Sequence, residues 1–153
     1  MQRLITIIVF LFITSSIFGQ VRKGEDGLYY DAQGNIFTGT SIEYYSDSVV
    51  QATIEIKDGK LDGLTKIYFN NGVLEEIRSY SNGMMHGKWE KWNRQSVRIA
   101  EANYSENKKE GKWFVWDDNG VLRYDMTYRN GEKTGVWLMY DESGKLINSK
   151  QYN

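Results

Sequence analysis

Apolar and aromatic positions along this chain recur at strand spacing and in short runs, with no sustained helical period. The stretches KWEKWN (88–93), VLEEIRSY (73–80) and VLRYDMTY (121–128) are rich in aromatic and β-branched residues, as strands are. Between such runs lie clusters of turn residues: NNG at 70–72, DDNG at 117–120 and DESG at 141–144. Asn or Asp followed by Gly suits the positive φ of a tight hairpin. The chain has no proline, so every strand keeps its full set of ladder donors. One run differs: Leu4–Ile13 (LITIIVFLFI) is apolar apart from Thr6 and follows Arg3.

The hairpin pattern repeats with a fixed step. Gly39, Gly63, Gly87, Gly111 and Gly135 stand 24 residues apart. Five residues after each comes an aromatic: Tyr44, Tyr68, Trp92, Trp116 and Tyr140. Trp89, Trp113 and Trp137 follow the last three glycines by two residues, where the earlier copies carry Ser41 and Thr65. Ile56, Tyr80, Tyr104, Tyr128 and Tyr152 close the units, and Ser48, Gly72, Ser96, Gly120 and Gly144 mark their turns. Self-similarity at a fixed period signals a repeat array. The expected fold is all-β, an elongated single-layer antiparallel meander of about five hairpins. The copies run 39–62, 63–86, 87–110, 111–134 and 135–153, and 20–38 is a lead-in or capping hairpin with a turn at Gln33–Gly34.

Alternation along a strand assigns the rings to faces. Residues three apart point to opposite sides, so Trp89 and Trp92 diverge, as do Trp113 and Trp116, or Trp137 and Tyr140. A two-residue tight turn sets Trp89 across from Ala102 and Trp113 across from Met126; a three-residue turn reverses that register. Adjacent Glu75 and Glu76 are expected on opposite faces, unable to share a substrate.

With these columns in view, the chain resembles the MORN-repeat family. It is most similar to the bacterial variant in which NG-x-x-x-G-x-W-x-x-Y precedes a Gly turn and a closing Tyr. Residues 130–140 (NGEKTGVWLMY), Gly144 and Tyr152 follow that pattern. Residues 82–92 carry Trp92 in place of Tyr, and 107–116 have Asn107 where the first Gly falls. The resemblance spans 39–153. Bacterial proteins of this variety often bear the label of a YwqK-type antitoxin, which conflicts with export, since an exported protein cannot guard a cytosolic target. The tandem Trp-rich hairpins also look like choline-binding repeats of cell-wall proteins, although those units are shorter and lack the Gly-x-x-x-Gly spacing.

Composition narrows the chemistry. With 19 Lys+Arg against 20 Asp+Glu the net charge is −1, which gives no basic stripe for nucleic acid. The absence of Cys removes disulfides, thiolate metal sites and a lipid-modified cysteine, but does not argue against export. Arg3, the apolar run and TSSIFG at 14–19 read as a signal peptide over 1–19, cut between Gly19 and Gln20. An uncleaved anchor is the alternative, though the run falls short of the roughly 20 residues a span needs. His86 is the lone histidine and lies in a variable loop. The turn Asp117–Gly120 lacks the length and closing Glu of a calcium loop. No catalytic residue, metal site or cofactor is expected. Asn103–Tyr104–Ser105 is a glycosylation sequon set inside a strand, expected to be idle.

The expected function is an exported, non-enzymatic scaffold or binding module for an unidentified protein. A thin sheet cannot hide rings on both sides, so Tyr68, Trp92, Trp116 and Tyr140 are the candidate docking aromatics. Gly39, Gly63, Gly87, Gly111, Gly135, Trp89, Trp113, Trp137, Tyr80, Tyr104, Tyr128 and Tyr152 are read as structural. An antitoxin or immunity protein, and envelope glycan or choline recognition, are the alternatives. Membrane or cell-wall contact is compatible with export, and oligomeric state stays open.

Overall fold

The computed structural model describes residues 21–46 and 48–153. The expected signal peptide and its cut lie outside these residues. β1 (Arg22–Lys23) and β2 (Tyr29–Tyr30) form a small antiparallel pair. The main sheet begins with β3 (Gly39–Tyr44), β4 (Val50–Lys57), β5 (Lys60–Tyr68), β6 (Leu74–Ser81), β7 (Met84–Met85) and β8 (Gly87–Trp92). It continues through β9 (Arg98–Ser105), β10 (Lys108–Lys109), β11 (Gly111–Trp116), β12 (Leu122–Arg129), β13 (Glu132–Tyr140) and β14 (Leu146–Tyr152). Strands lie side by side in chain order, all antiparallel, with β7 and β10 as short lead-ins to β8 and β11. This is the all-β meander that the repeat period implies.

Two kinds of turn alternate. Between copies, Asp58–Gly59, Asn82–Gly83, Glu106–Asn107 and Asn130–Gly131 have positive φ at both positions, the two-residue turn that matches strand twist. Within copies the turn is longer: Asn93 N–H donates to Val97 O and Ser96 N–H to Asn93 O, with Ser96 at φ 61°. The Asn93 side chain accepts from the Gln95 and Val97 amides, and Asp117 and Asp141 do the same in their copies. The tight two-residue turn thus belongs to the joints, not to the NNG, DDNG and DESG clusters where sequence placed it.

A three-residue turn was expected to reverse the register, yet Trp89 pairs with Ala102 and Trp113 with Met126. A β-bulge restores it. Trp92 pairs with Arg98 but Lys91 with Ala100, so Ile99 is an extra residue. Gln51, Glu75, Arg123 and Ile147 are skipped in the same way in the other copies. Each copy therefore adds one residue at the turn and one just after it, and the parity is unchanged.

A second irregularity explains a glycine column. Ile56 pairs with Leu61 and Ile54 with Thr65, so Asp62, Gly63 and Leu64 together face Glu55. Gly63 takes φ 108°, and a Cβ there would run into the Glu55 carboxylate, which accepts the Leu64 amide at 2.9 Å.

Pairing assigns every side chain to one of two faces. Ser41, Ala52, Ile54, Ile56, Thr65, Arg78, Tyr80, Trp89, Trp113, Tyr128, Trp137 and Tyr152 share one, called here the ring face. At its start the N-terminal segment folds over it. Val21, Tyr29 and Phe37 pack on Ala52, Ile54 and Ile56, the most buried apolar cluster of the protein. Two backbone bonds pin the segment to the first joint, Tyr29 N–H to Gly59 O and Gly59 N–H to Phe37 O, and a third, Phe37 N–H to Tyr29 O, closes the segment on itself.

Candidate functional site

The ring face carries one continuous file of aromatics. Tyr80, Trp89, Tyr104, Trp113, Tyr128, Trp137 and Tyr152 touch in succession, centroids 4.8–5.7 Å apart and planes tilted by 50–64°. Such tilted pairs contribute about 0.5–1.5 kcal/mol each beyond their burial. The indole N–H groups are also satisfied. Trp89 donates to Ser79 O at 3.1 Å, Trp113 to Asn103 O at 2.9 Å and Trp137 to Thr127 O at 3.0 Å. Burial holds the Tyr104 and Tyr128 hydroxyls above the usual phenol range; Glu76 adds to the shift at Tyr104 and Lys133 opposes it at Tyr128.

One position falls on the ring face in every copy, and its chemistry changes along the array. Residues 37, 61, 85, 109 and 133 are Phe, Leu, Met, Lys and Lys. Lys109 Nζ lies 4.4 Å from the Trp113 ring centre and 4.7 Å from that of Tyr128. Lys133 repeats this over Trp137 and Tyr152, and Lys150 joins it over Tyr152. The ammonium lies over the ring faces, whose quadrupole attracts it, and the aliphatic stem behind it adds apolar cover. Beside the last rings, Tyr124, Met126, Trp137, Met139, Asn148, Lys150 and Tyr152 line an open groove of about 280 Å³.

The opposite face is different. Lys88, Glu90, Arg98, Glu101, Lys112 and Asp125 form ion pairs of 2.6–3.5 Å across it. Tyr68, Trp92, Trp116 and Tyr140 lie on this face, half-buried, at the turn end of each copy. They do not touch one another as a file: the Arg98 guanidinium stacks 4.5 Å from the Trp116 ring centre, and Leu74, Leu122 and Leu146 pair directly with Tyr68, Trp116 and Tyr140. Sequence alternation separated the two columns but gave no sign that one would sit among ion pairs.

Glu75 and Glu76 depart from the expectation of opposite faces. Lys91 pairs with Glu76 across the strands, yet its ammonium meets the Glu75 carboxylate at 3.4 Å, while Glu76 binds Arg78 at 2.8 Å. Glu75 is the bulge residue, and a bulge turns its two side chains to one side. Each carboxylate has its own cation. Among the described residues no three His, Cys, Asp or Glu side chains are placed to hold a metal ion. His86 is exposed at its joint. The Asn103 side-chain amide donates to Lys112 O at 2.6 Å, which ties the sequon's acceptor nitrogen to the next strand.

This geometry defines a β-hairpin repeat protein. A family model described as a MORN repeat variant matches residues 61–82, 109–130 and 133–153. These stretches correspond to the hairpins β5–β6, β11–β12 and β13–β14. Three of the repeats thus match the MORN variant model, and MORN repeats are in general binding or interaction modules. The hairpins β3–β4 and β8–β9 fall outside the matched stretches but carry the same bulge. No curated protein matches the chain.

Proposed function

We propose that the protein is an exported, non-enzymatic binding module that receives an apolar segment of a partner protein on the ring face, at its C-terminal end. The observation that carries this reading is the open groove beside Tyr124, Met126, Met139 and Tyr152. Its counterpart at the other end of the same face is covered by the chain's own Val21, Tyr29 and Phe37. Methionine side chains suit such a role, because they are flexible and adapt to irregular apolar partners. Export rests on the composition of residues 1–19, and a mature amino terminus at Gln20 in the extracytoplasmic fraction is its direct check.

The second aromatic column, Tyr68, Trp92, Trp116 and Tyr140, is the competing docking surface. Its rings stand in a charged setting, which favours solvation over an apolar partner. A neutralising role against a toxin rests on the family label, and no arrangement of residues favours it over binding in general. Choline capture is weakened because ammoniums of the chain itself already lie over the rings of the file.

The test uses in-cell crosslinking and purification from the native envelope. A partner recovered with the wild type should be lost with the double substitution Met126→Asp and Met139→Asp. It should be retained when Trp92 and Trp116 are both changed to Ala, with circular dichroism confirming the fold of both variants. The opposite pattern moves the interface to the ion-pair face. Retention of the same partner by both variants sinks the docking assignment.

A further inference from the structure

The two ends of the sheet are complementary halves of the joint that links repeats inside it. β3 and β14 each have one neighbour among the described residues, β4 and β13. Strand direction alternates along the sheet, so β14 runs antiparallel to β3, and a second copy's β3 laid beside β14 continues the alternation. Apolar exposure concentrates there. Ile42 (47% exposed) and Tyr44 (56%) sit on β3, and Leu146 (49%) and Ile147 (55%) on β14.

The interior shows what these residues lack. Leu122 pairs with Trp116 on one side and has β13, which carries Tyr140, as the neighbouring strand on the other. Leu146 pairs with Tyr140 and Tyr44 with Val50, and among the described residues no further strand lies beyond either. Extending the joint register by one period follows the pairs Tyr124↔Met139 and Asp125↔Leu138. It sets Asn148 opposite Glu43 and Ser149 opposite Ile42 of the next copy. Lys150 then falls diagonal to Glu43 on one face, opposite charges within reach. The interior joint between β9 and β11 is held by only two such direct pairs, Phe114↔Glu101 and Val115↔Ala100, beside the lead-in β10.

We infer that copies of this chain associate head to tail, β14 of one pairing with β3 of the next, so that the meander continues across the molecular boundary. The arrangement is heterologous and does not close by two-fold symmetry, so it gives chains rather than a fixed dimer. Two-fold pairing of β14 with itself is the competing geometry, and it brings Lys150 towards its own copy instead of towards Glu43.

The absence of native Cys makes the test direct. Residues 20–153, which contain the fourteen strands of the described residues, are prepared as Ile42→Cys, as Ser149→Cys and as the double variant. Each is treated with a short thiol-bridging reagent at high protein concentration. Head-to-tail pairing gives a crosslinked heterodimer only when the two single variants are mixed, and a ladder of multimers from the double variant. Sedimentation of the untagged protein should show mass rising with concentration. Glu43→Lys or Lys150→Glu should each weaken that rise several-fold, and the two reversals combined should restore it. A dimer from Ser149→Cys alone overturns the proposal in favour of two-fold pairing. A monomer at all concentrations, with no crosslink, overturns it outright. Ser149 and Lys150 line the groove, so the arms that separate this result from groove docking are Ile42→Cys and Glu43→Lys, which lie at the other end of the sheet.

Discussion

The two ends of the ring face are built on one repeat and solve the same exposure problem differently. At the start, Ile56 occupies the place that Tyr80, Tyr104, Tyr128 and Tyr152 hold in later copies, and Ser41 and Thr65 occupy the place of the tryptophans. The large rings are missing there because the N-terminal segment supplies them. Tyr29 and Phe37 fold onto Ala52, Ile54 and Ile56, and the Tyr29 hydroxyl, raised by burial, also senses Glu43 and Tyr80. At the far end no segment of the described chain lies over the face, so each repeat brings its own rings, and lysines cover them. Regular sequence is thus the sign of a self-supporting repeat, and a lapse in the pattern marks where another part of the chain packs.

That contrast is open to direct attack. The largest effect is expected at Ile56, 3% exposed. Ile56→Ala should cost about 2–4 kcal/mol in denaturant unfolding, because the cap closes the site and leaves a cavity. A loss under ~1 kcal/mol would mean the cap is not packed. Next comes Thr65→Trp, which restores the repeat consensus where Thr65 is already buried. It should destabilise by about 1–3 kcal/mol through overpacking, although the same tryptophan stabilises later copies. A more stable variant would show that the cap yields its place.

At the open end, Tyr152→Ala removes a larger side chain than Ile56→Ala but should cost only about 1 kcal/mol, chiefly the Trp137 ring contact at 4.8 Å. Equal losses at 56 and 152 would erase the distinction between the ends. A smaller effect concerns pH. Tyr29 has a folded pKa raised above its unfolded value near 10, by burial first and then by Glu43 and Tyr80. The folded state therefore holds the phenol proton more tightly. Stability from this group is complete below pH 10 and is lost as pH rises through the folded value. Tyr29→Phe should flatten the alkaline end of a stability–pH curve, and an unchanged slope would place the hydroxyl in solvent. The smallest change is Thr65→Val, since Thr65 Oγ1 is buried with no hydrogen-bond partner. It should be neutral or stabilising by up to ~1 kcal/mol, and a marked loss would reveal a partner for that hydroxyl.

Much of the architecture was legible because the period of 24 residues is a local instruction written five times. The all-β meander, the separation of Trp89 from Trp92 and the pairing of Trp89 with Ala102 all follow from strand geometry acting within about one period. The pairing came out as expected for a reason the sequence did not display. The turn at Asn93–Val97 holds three residues, and the skipped Ile99 compensates. Bulges leave no plain signature in composition, so Glu75 and Glu76 were assigned to opposite faces although both meet cations on one side.

What the sequence determined by itself was the repeat: which residues recur, which of them become strands, and which share a column, since hydrogen bonding and alternation act between neighbours. What the tertiary structure decided was the difference between faces and ends. Whether Tyr29 and Phe37 fold back over Ile56, and whether Trp116 meets Arg98 rather than a ring of its own column, depends on packing between segments distant in sequence or in adjacent strands. Those contacts are fixed by which surfaces are left to be buried once the sheet exists, and no single stretch of the chain carries that information.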